Sequence, residues 1–458
     1  MESDSTDVTG PVFLSYRQSD GTPIVEELAW LLRAAGIPVW RDKDDLPPGD
    51  TMDRLEQAIA GGLSGAVLVV SPEVTKSPVV KQIEAPELIK LHQAQPGFAL
   101  FVANAIRGQD RQSIDYLAPD RLLERPREDL RRVDQSSTSR EGLLSLAHGA
   151  LWHRMAVHRP IVEKQGEFRL TVQTRNVGQV YDRTGAQLDI RVRRSDHEKL
   201  PSQQGLEDLK QTLAWLPDAI TRTGAERVSL SGGAHLSVAF ALGAALPSTR
   251  VHQLSVLSAG ASWASTTESC VPAEPALHLD VSENEPLEGT GTRPRVVVYV
   301  DLMPVASDGA YHQYLEEHRT EYQAHALIRP IQRGLLDATQ AGDLAAEATA
   351  HIRAVSAQYG NAQVDLLLRG PFPMAVLMGR LCNTLRVRVC EWDDSGGADG
   401  EDQRPRYVPT LDVRPGATSG AISAVLLPAP GQRRRAFIER FTRLKRQKHS
   451  AKRRRWFA

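Results

Sequence analysis

The sequence predicts an α/β protein made of several sheet-and-helix units. Three observations carry this. Short apolar runs alternate with segments whose apolar residues recur at helical spacing, the rhythm of parallel sheets covered by helices. Turn residues such as Ser231-Gly232-Gly233 and Arg369-Gly370-Pro371 stand between an apolar run and a helical pattern. The length of 458 residues exceeds what one core holds and sets a prior of about three compact units.

Each element follows in order. Val12–Tyr16 (VFLSY) reads as a strand. Thr22-Pro23 offers an N-cap and a proline at the first helical position, and Ile24, Val25, Leu28, Leu31, Leu32 and Ala35 continue at helical spacing to Gly36. Ile37–Trp40 is a second strand and runs into the acidic loop RDKDDLPPGD. Ala66–Val70 and Phe98–Ala103 are further strands, while 105–140 is charged and reads as helix and exposed loop. Leu143–Val157 is helical, with a linker expected over 146–160. Beyond it Phe168–Gln173 and Gln187–Val192 alternate like strands, and Leu206, Leu209, Leu213 and Leu216 line one helix face.

A weak internal repeat follows. A strand over Arg227–Leu230, the SGG turn, a helix over Ala234–Ala245 and a strand over Val251–Leu257 match, in order, Val364–Leu368, the RGP turn, Pro373–Asn383 and Leu385–Trp392. At an offset of 136 residues Val228 meets Val364, Leu230 meets Leu366 and Gly243 meets Gly379. The pattern fits a duplication, or two βαβ units of one large sheet. Val296–Leu302 is the strand expected to open the second copy.

Composition narrows the classes. The three cysteines include no CxxC pair, which fits a reducing cytoplasm, and no metal-ligand spacing or Walker pattern occurs. No apolar run suits a membrane span, and the polar start is unlike a secretory signal. The net charge of −1 conceals an asymmetry: residues 431–458 hold twelve Lys/Arg and one Glu, so this tail carries +11 and the rest −12. A solvated basic end is at least as good a reading of the tail as a nucleic-acid contact, and a polymer partner is not expected.

Strand-end Phe13-Leu14-Ser15-Tyr16-Arg17, the loop from Trp40-Arg41-Asp42 to Asp50, and Val69-Val70-Ser71-Pro72 occur in the order and spacing of a TIR domain, which residues 11–145 resemble. The resemblance implies a flavodoxin-like sheet and one of two activities: cleavage of the nicotinamide–ribose bond of NAD+, or non-catalytic adaptor scaffolding of other TIR proteins. Glu84 matches the family's catalytic glutamate, with Glu87 three residues on as the other carboxylate on the same helix face; Val79 and Val80 occupy the region where the family usually has a tryptophan. The resemblance further implies Tyr16, Arg17 and Ser71 as substrate contacts and Asp44, Asp45 and Leu46 as self-association contacts.

The repeat unit with Ser231, Gly232 and Gly233, its partner Leu368-Arg369-Gly370-Pro371, and Trp392 with the segment around Tyr407 resemble a SAVED domain over residues 160–425. That implies two fused, CARF-like Rossmann-type halves, expected over 161–290 and 291–430, sensing a cyclic oligonucleotide. A glycine-rich strand-to-helix turn suits a phosphate, with Ser231, His235, Arg369 and Gly370 as contacts and Trp392 and Tyr407 as base-stacking candidates. Together the two resemblances describe an antiphage (CBASS) effector with NAD+ as substrate, a cyclic trinucleotide as activating ligand, no cofactor or metal, and homo-oligomers as the active form. Residues 1–10 are expected to be disordered.

Overall fold

The computed structural model describes residues 7–40, 58–125, 127–175, 185–195, 199–284, 294–394 and 405–428. The loop with Asp44, Asp45 and Leu46 and the basic tail lie outside them. Among the described residues the strands form three sheets.

In the first sheet, β1 (Val12–Ser15), β2 (Val39–Trp40), β3 (Gly65–Val70), β4 (Ala99–Asn104) and β5 (Asp134–Ser137) lie in the order β2-β1-β3-β4-β5, all parallel. This is the flavodoxin-like order, whose direction reverses between β1 and β3. β5 was not legible as a strand because its sequence, DQSS, is an edge strand without an apolar run. Helix α1 (Gln18–Ala34) begins a turn earlier than Thr22-Pro23 suggested, so Pro23 lies inside it. α2 (Ala85–Ala94) follows a π-helical turn over Val80–Glu84, and the short α3 (Ala118–Leu122) precedes β5.

The expected linker 146–160 is the middle of α4 (Arg140–Gln165), a continuous helix capped by the Ser139 hydroxyl and ended by Gly166 at φ +68°. It is not a tether because it is packed on both sides. Buried Arg154 donates to the carbonyls of Gly10 (3.0 Å) and Gln187 (2.7 Å), from the first and second units respectively. The C-terminus of α1 also meets the second unit: Ala34 O accepts from Thr212 Oγ1 at 2.9 Å, and Gly36 O from the Asp189 N–H at 2.7 Å. Gly36, at φ +85°, must be glycine there, since a Cβ would lie 2.8 Å from Leu188 Cβ. Glu27 and Arg140 form an ion-pair network with Asp208 and Arg193 across the same seam. The first two units therefore share one apolar core.

The second unit contains β6 (Glu167–Gln173), β7 (Leu188–Arg191), α5 (Gln203–Leu213), α6 (Leu216–Arg222), β8 (Arg227–Gly233), α7 (Leu236–Ala245), β9 (Gln253–Ser258) and β10 (Ala261–Ser265), with sheet order β10-β9-β8-β6-β7. The third contains β11 (Leu277–Glu283), β12 (Arg295–Asp301), α8 (Gly309–Glu317), β13 (Ala324–Pro330), α9 (Ala341–Gln358), β14 (Gln363–Arg369), α10 (Phe372–Leu381), β15 (Val387–Asp393), β16 (Arg406–Val413) and β17 (Ile422–Val425), in the order β11-β13-β12-β14-β15-β16-β17.

Helices α7 and α10 pack the two units together. A Cβ on Gly243 would meet Val376 O at 1.9 Å, and one on Gly379 would meet Phe240 O at 2.0 Å. Each glycine thus touches the residue 136 positions from the one its counterpart touches, the reciprocity of a two-fold contact. This is packing between two separate sheets, which removes the alternative of one large sheet.

Candidate functional site

In open α/β sheets ligands gather at the carboxyl ends of strands where strand order reverses. In the first unit this is the end of β1 and β3, which pair in parallel with Ser15 opposite Leu68. Glu84 reaches this point. Its side chain, in a residue only 8% exposed, accepts a 2.6 Å hydrogen bond from Ser15 Oγ, itself in a residue 1% exposed. The π-helical turn ending at Glu84 carries an extra residue per turn, a device common at functional sites. Glu87, in contrast, points outward and pairs with Lys90 at 3.6 Å. The two carboxylates expected on one face therefore differ in surroundings: one is buried at the strand end, the other solvated.

Tyr16, Arg17 and Ser71 sit at the same end of the sheet; Tyr16 and Arg17 are internally engaged, while the buried Ser71 hydroxyl lies near Asp20 without a hydrogen-bond partner among the described residues. Tyr16 is buried, its ring against Gly21 of α1, so it serves as a core residue here. Arg17 pairs with Glu73 at 2.6 Å and with Asp20 at 3.4 Å. Burial pushes the Asp20 carboxyl up, but the Ser71 hydroxyl, the Glu73 N–H and Arg17 outweigh it and hold its pKa below the ordinary range.

The first copy of the repeat departs from the expected phosphate cradle. Ser231, Gly232 and Gly233 are the last residues of β8, not a turn, and Gly232 lies at φ +106° with its Cα against Val172 O. The exposed turn is therefore a strand end that glycine lets approach β6. The following helix terminus is occupied: Glu391 of β15 accepts from the N–H groups of Leu236 (3.2 Å) and Ser237 (2.9 Å). His235, expected as a ligand contact, is instead buried and bonded to Thr174 Oγ1 at 2.8 Å.

The second copy is different. Arg369, the last residue of β14, donates to buried Asp301 at 2.9 Å, and Arg333 and Arg329 approach the other Asp301 oxygen at 3.5 Å each. Arg329 also pairs with Asp308. Three guanidiniums thus meet two carboxylates at adjacent strand ends, and all three remain partly exposed. Gly370 packs on Leu302. Trp392 stacks edge-on against Tyr407 at 5.4 Å, and Tyr407 is buried with its hydroxyl on Leu368 O, so Tyr407 is a core group and not a base platform.

Residues 12–131 match the TIR domain family, and residues 209–413 match the SAVED family, described as the SMODS-associated and fused to various effectors sensor domain. The chain is a TIR–SAVED fusion. Among solved structures, the Acinetobacter baumannii Cap4 SAVED/CARF-domain containing receptor with the cyclic trinucleotide 3'3'3'-cAAA is 10% identical over 86% of this chain and 97% of its own, at a TM-score of 0.43. The Moraxella osloensis Cap4 SAVED/CARF-domain containing receptor is 13% identical, with the same coverage, at a TM-score of 0.37. No curated protein matches the chain.

Within the TIR–SAVED fusion, sequence reasoning missed Ser15, Glu391, Asp301, Arg329 and Arg333. Ser15 lies inside the quoted FLSY motif, and only the fold shows that its hydroxyl faces Glu84. The arginines come from two segments, Arg329 and Arg333 at and just past the end of β13 and Arg369 at the end of β14, which no local spacing connects. Among the described residues no helix is long and apolar enough to cross a membrane, and no cluster of three or more His, Cys, Asp or Glu suits a metal ion.

Proposed function

We propose that this TIR–SAVED protein is a cytoplasmic, messenger-gated NAD+ glycohydrolase of antiphage signalling. Its SAVED domain binds a cyclic oligoadenylate-type messenger, most simply a cyclic trinucleotide, and chains then assemble so that their TIR domains hydrolyse NAD+ to nicotinamide and ADP-ribose. The observation that carries this reading is the buried Glu84 carboxylate at the strand-order switch point of a TIR sheet, in the same chain as a SAVED domain.

The chemistry suits a carboxylate. The bond between ribose C1′ and the pyridinium nitrogen breaks with its electron pair going to nicotinamide, which leaves neutral and needs no general acid. Positive charge grows on the ribose as an oxocarbenium-like centre, which Glu84 stabilises; water adds at C1′ and loses a proton. On the sensor side, Arg329, Arg333 and Arg369 provide charge-assisted donors suited to a messenger phosphate.

Assembly follows from the closed state of the single chain. Glu84 and Ser71 are buried, so substrate entry requires a rearrangement, and a messenger drives one only through its different affinity for the two states. With the TIR unit fixed to the sensor by α4 and a shared core, the sensor repositions whole TIR units against neighbours, which we assign to the loop of Asp44, Asp45 and Leu46.

The test is nicotinamide release from NAD+ in the presence of cyclic di- and trinucleotides. Glu84→Gln is expected to lower messenger-dependent release by about 100-fold or more, while Glu87→Gln retains it. Absence of release with every messenger overturns the enzyme reading in favour of an adaptor. Release that survives Glu84→Gln but not Glu87→Gln moves the carboxylate. Specific activity independent of protein concentration counts against assembly.

A further inference from the structure

We infer that Ser15 is a positioning residue for Glu84, setting the direction of the carboxylate that acts on the ribose. The inference rests on the reading of the TIR domain as an NAD+-cleaving site. It adds a second residue to that site with a defined task.

Ser15 closes β1, and its neighbours in the strand, Val12, Phe13 and Leu14, are all buried core residues. At a position this enclosed an apolar side chain would pack more favourably than a hydroxyl, unless the hydroxyl has a partner. The partner is Glu84 Oε2 at 2.6 Å, 69 residues away on a different element. The distance is that of a charge-assisted O–H···O bond, the strong kind. It joins an interior parallel strand, paired on both sides, to the π-helical turn that turns Glu84 inward.

A glutamate side chain has three rotatable bonds, and on a helix its carboxylate ordinarily samples several rotamers. Fixing one oxygen to a strand-bound hydroxyl removes most of that freedom. Electrostatic stabilisation of a developing cation depends on the carboxylate being placed before the reaction, since reorientation during the reaction costs part of the gain. Ser15 thus acts on turnover through Glu84, without itself touching the substrate. Its removal is expected to affect kcat more than KM, because ground-state NAD+ binding draws on contacts elsewhere.

The experiment uses the full chain with a messenger that activates the wild type. Ser15→Ala is expected to reduce kcat by about 10- to 100-fold with KM changed by less than about threefold. Messenger affinity should stay near wild type, the thermal midpoint should fall by no more than a few degrees for the lost buried hydrogen bond, and Ser15→Thr, which keeps the hydroxyl, should recover most of the lost kcat. A crystal structure of Ser15→Ala should show the Glu84 carboxylate displaced from the end of β1. Unchanged kcat in Ser15→Ala, a Thr variant as slow as Ala despite normal folding, or Glu84 undisplaced in the Ala structure would each overturn the inference. If the wild type releases no nicotinamide with any messenger, the glycohydrolase reading falls, and the position of Glu84 in the Ser15→Ala crystal still decides the claim about Ser15.

Discussion

The two halves of the SAVED domain share a frame and differ in chemistry at the strand ends. Strand register aligns them residue by residue. β6 pairs with β8 as β12 pairs with β14, so the terminal pair Gln173 and Gly233 corresponds to Asp301 and Arg369. Continued one residue beyond the last pair of β12 and β13, Val300 and Ile328, the register also aligns Arg191 with Arg329. In the first half Arg191 is held by Asp189 at 2.8 Å, beside a neutral glutamine and a glycine. In the second, the corresponding arginine joins two others around Asp301. The helix termini differ too. Glu391 closes the start of α7, whereas the register-equivalent position in the first half carries uncharged Ser258. A duplicated frame thus keeps its packing while its two strand-end edges diverge, and under the proposed function this suits a sensor for a ring that need not be two-fold symmetric.

The largest effect tests the shared frame. Alanine at Gly243 or Gly379 places a methyl about 2 Å from a backbone carbonyl of the facing helix, so α7 and α10 must separate. Each substitution is expected to cost about 3 kcal/mol or more, and the two costs should agree closely because the contact is reciprocal. Chemical denaturation with both variants checks this. Tolerance of one and collapse of the other would mean that the symmetry is only in the backbone trace.

A smaller effect tests the divergence. Arg333→Ala removes one donor of the second-half cluster while leaving Arg369 on Asp301. Losing one charge-assisted contact is expected to weaken messenger binding by about 10- to 100-fold. Arg191→Ala, at the corresponding edge of the first half, should change it by less than about threefold. Titration calorimetry with the activating messenger compares them. Equal losses would show that both edges hold phosphates.

How much of this was legible in sequence depends on the range of the interaction. Strands such as Val296–Leu302, and the α7 and α10 helices, announce themselves by local apolar pattern, and the offset of 136 residues falls out of the same pattern. Glu84 was legible through the TIR resemblance. What was hidden is what joins distant segments: Ser15 to Glu84, Glu391 to the start of α7, and three arginines to Asp301. The misread linker has the same cause. Nothing local to 146–160 shows that Arg154 is buried between two units, because its acceptors are the carbonyls of Thr9, Gly10 and Gln187.

The smallest expected effect is also the most discriminating. Glu391→Gln keeps one acceptor oxygen at the start of α7 but puts an NH2 donor where the other oxygen accepted, and removes the charge that complements the helix dipole, so it should cost about 1 kcal/mol of stability or somewhat more. The consequence for the messenger separates two views of the first half. If that helix terminus is a permanently filled structural cap, messenger affinity should change by less than about twofold. If Glu391 instead holds a place that a phosphate takes over in the bound state, neutralising it removes the competing anion, and affinity should rise. The half that looks closed would then be a switch whose opening pulls β15 of one half away from α7 of the other. Glu391 is itself buried at the seam between the halves, so such a displacement could not remain local.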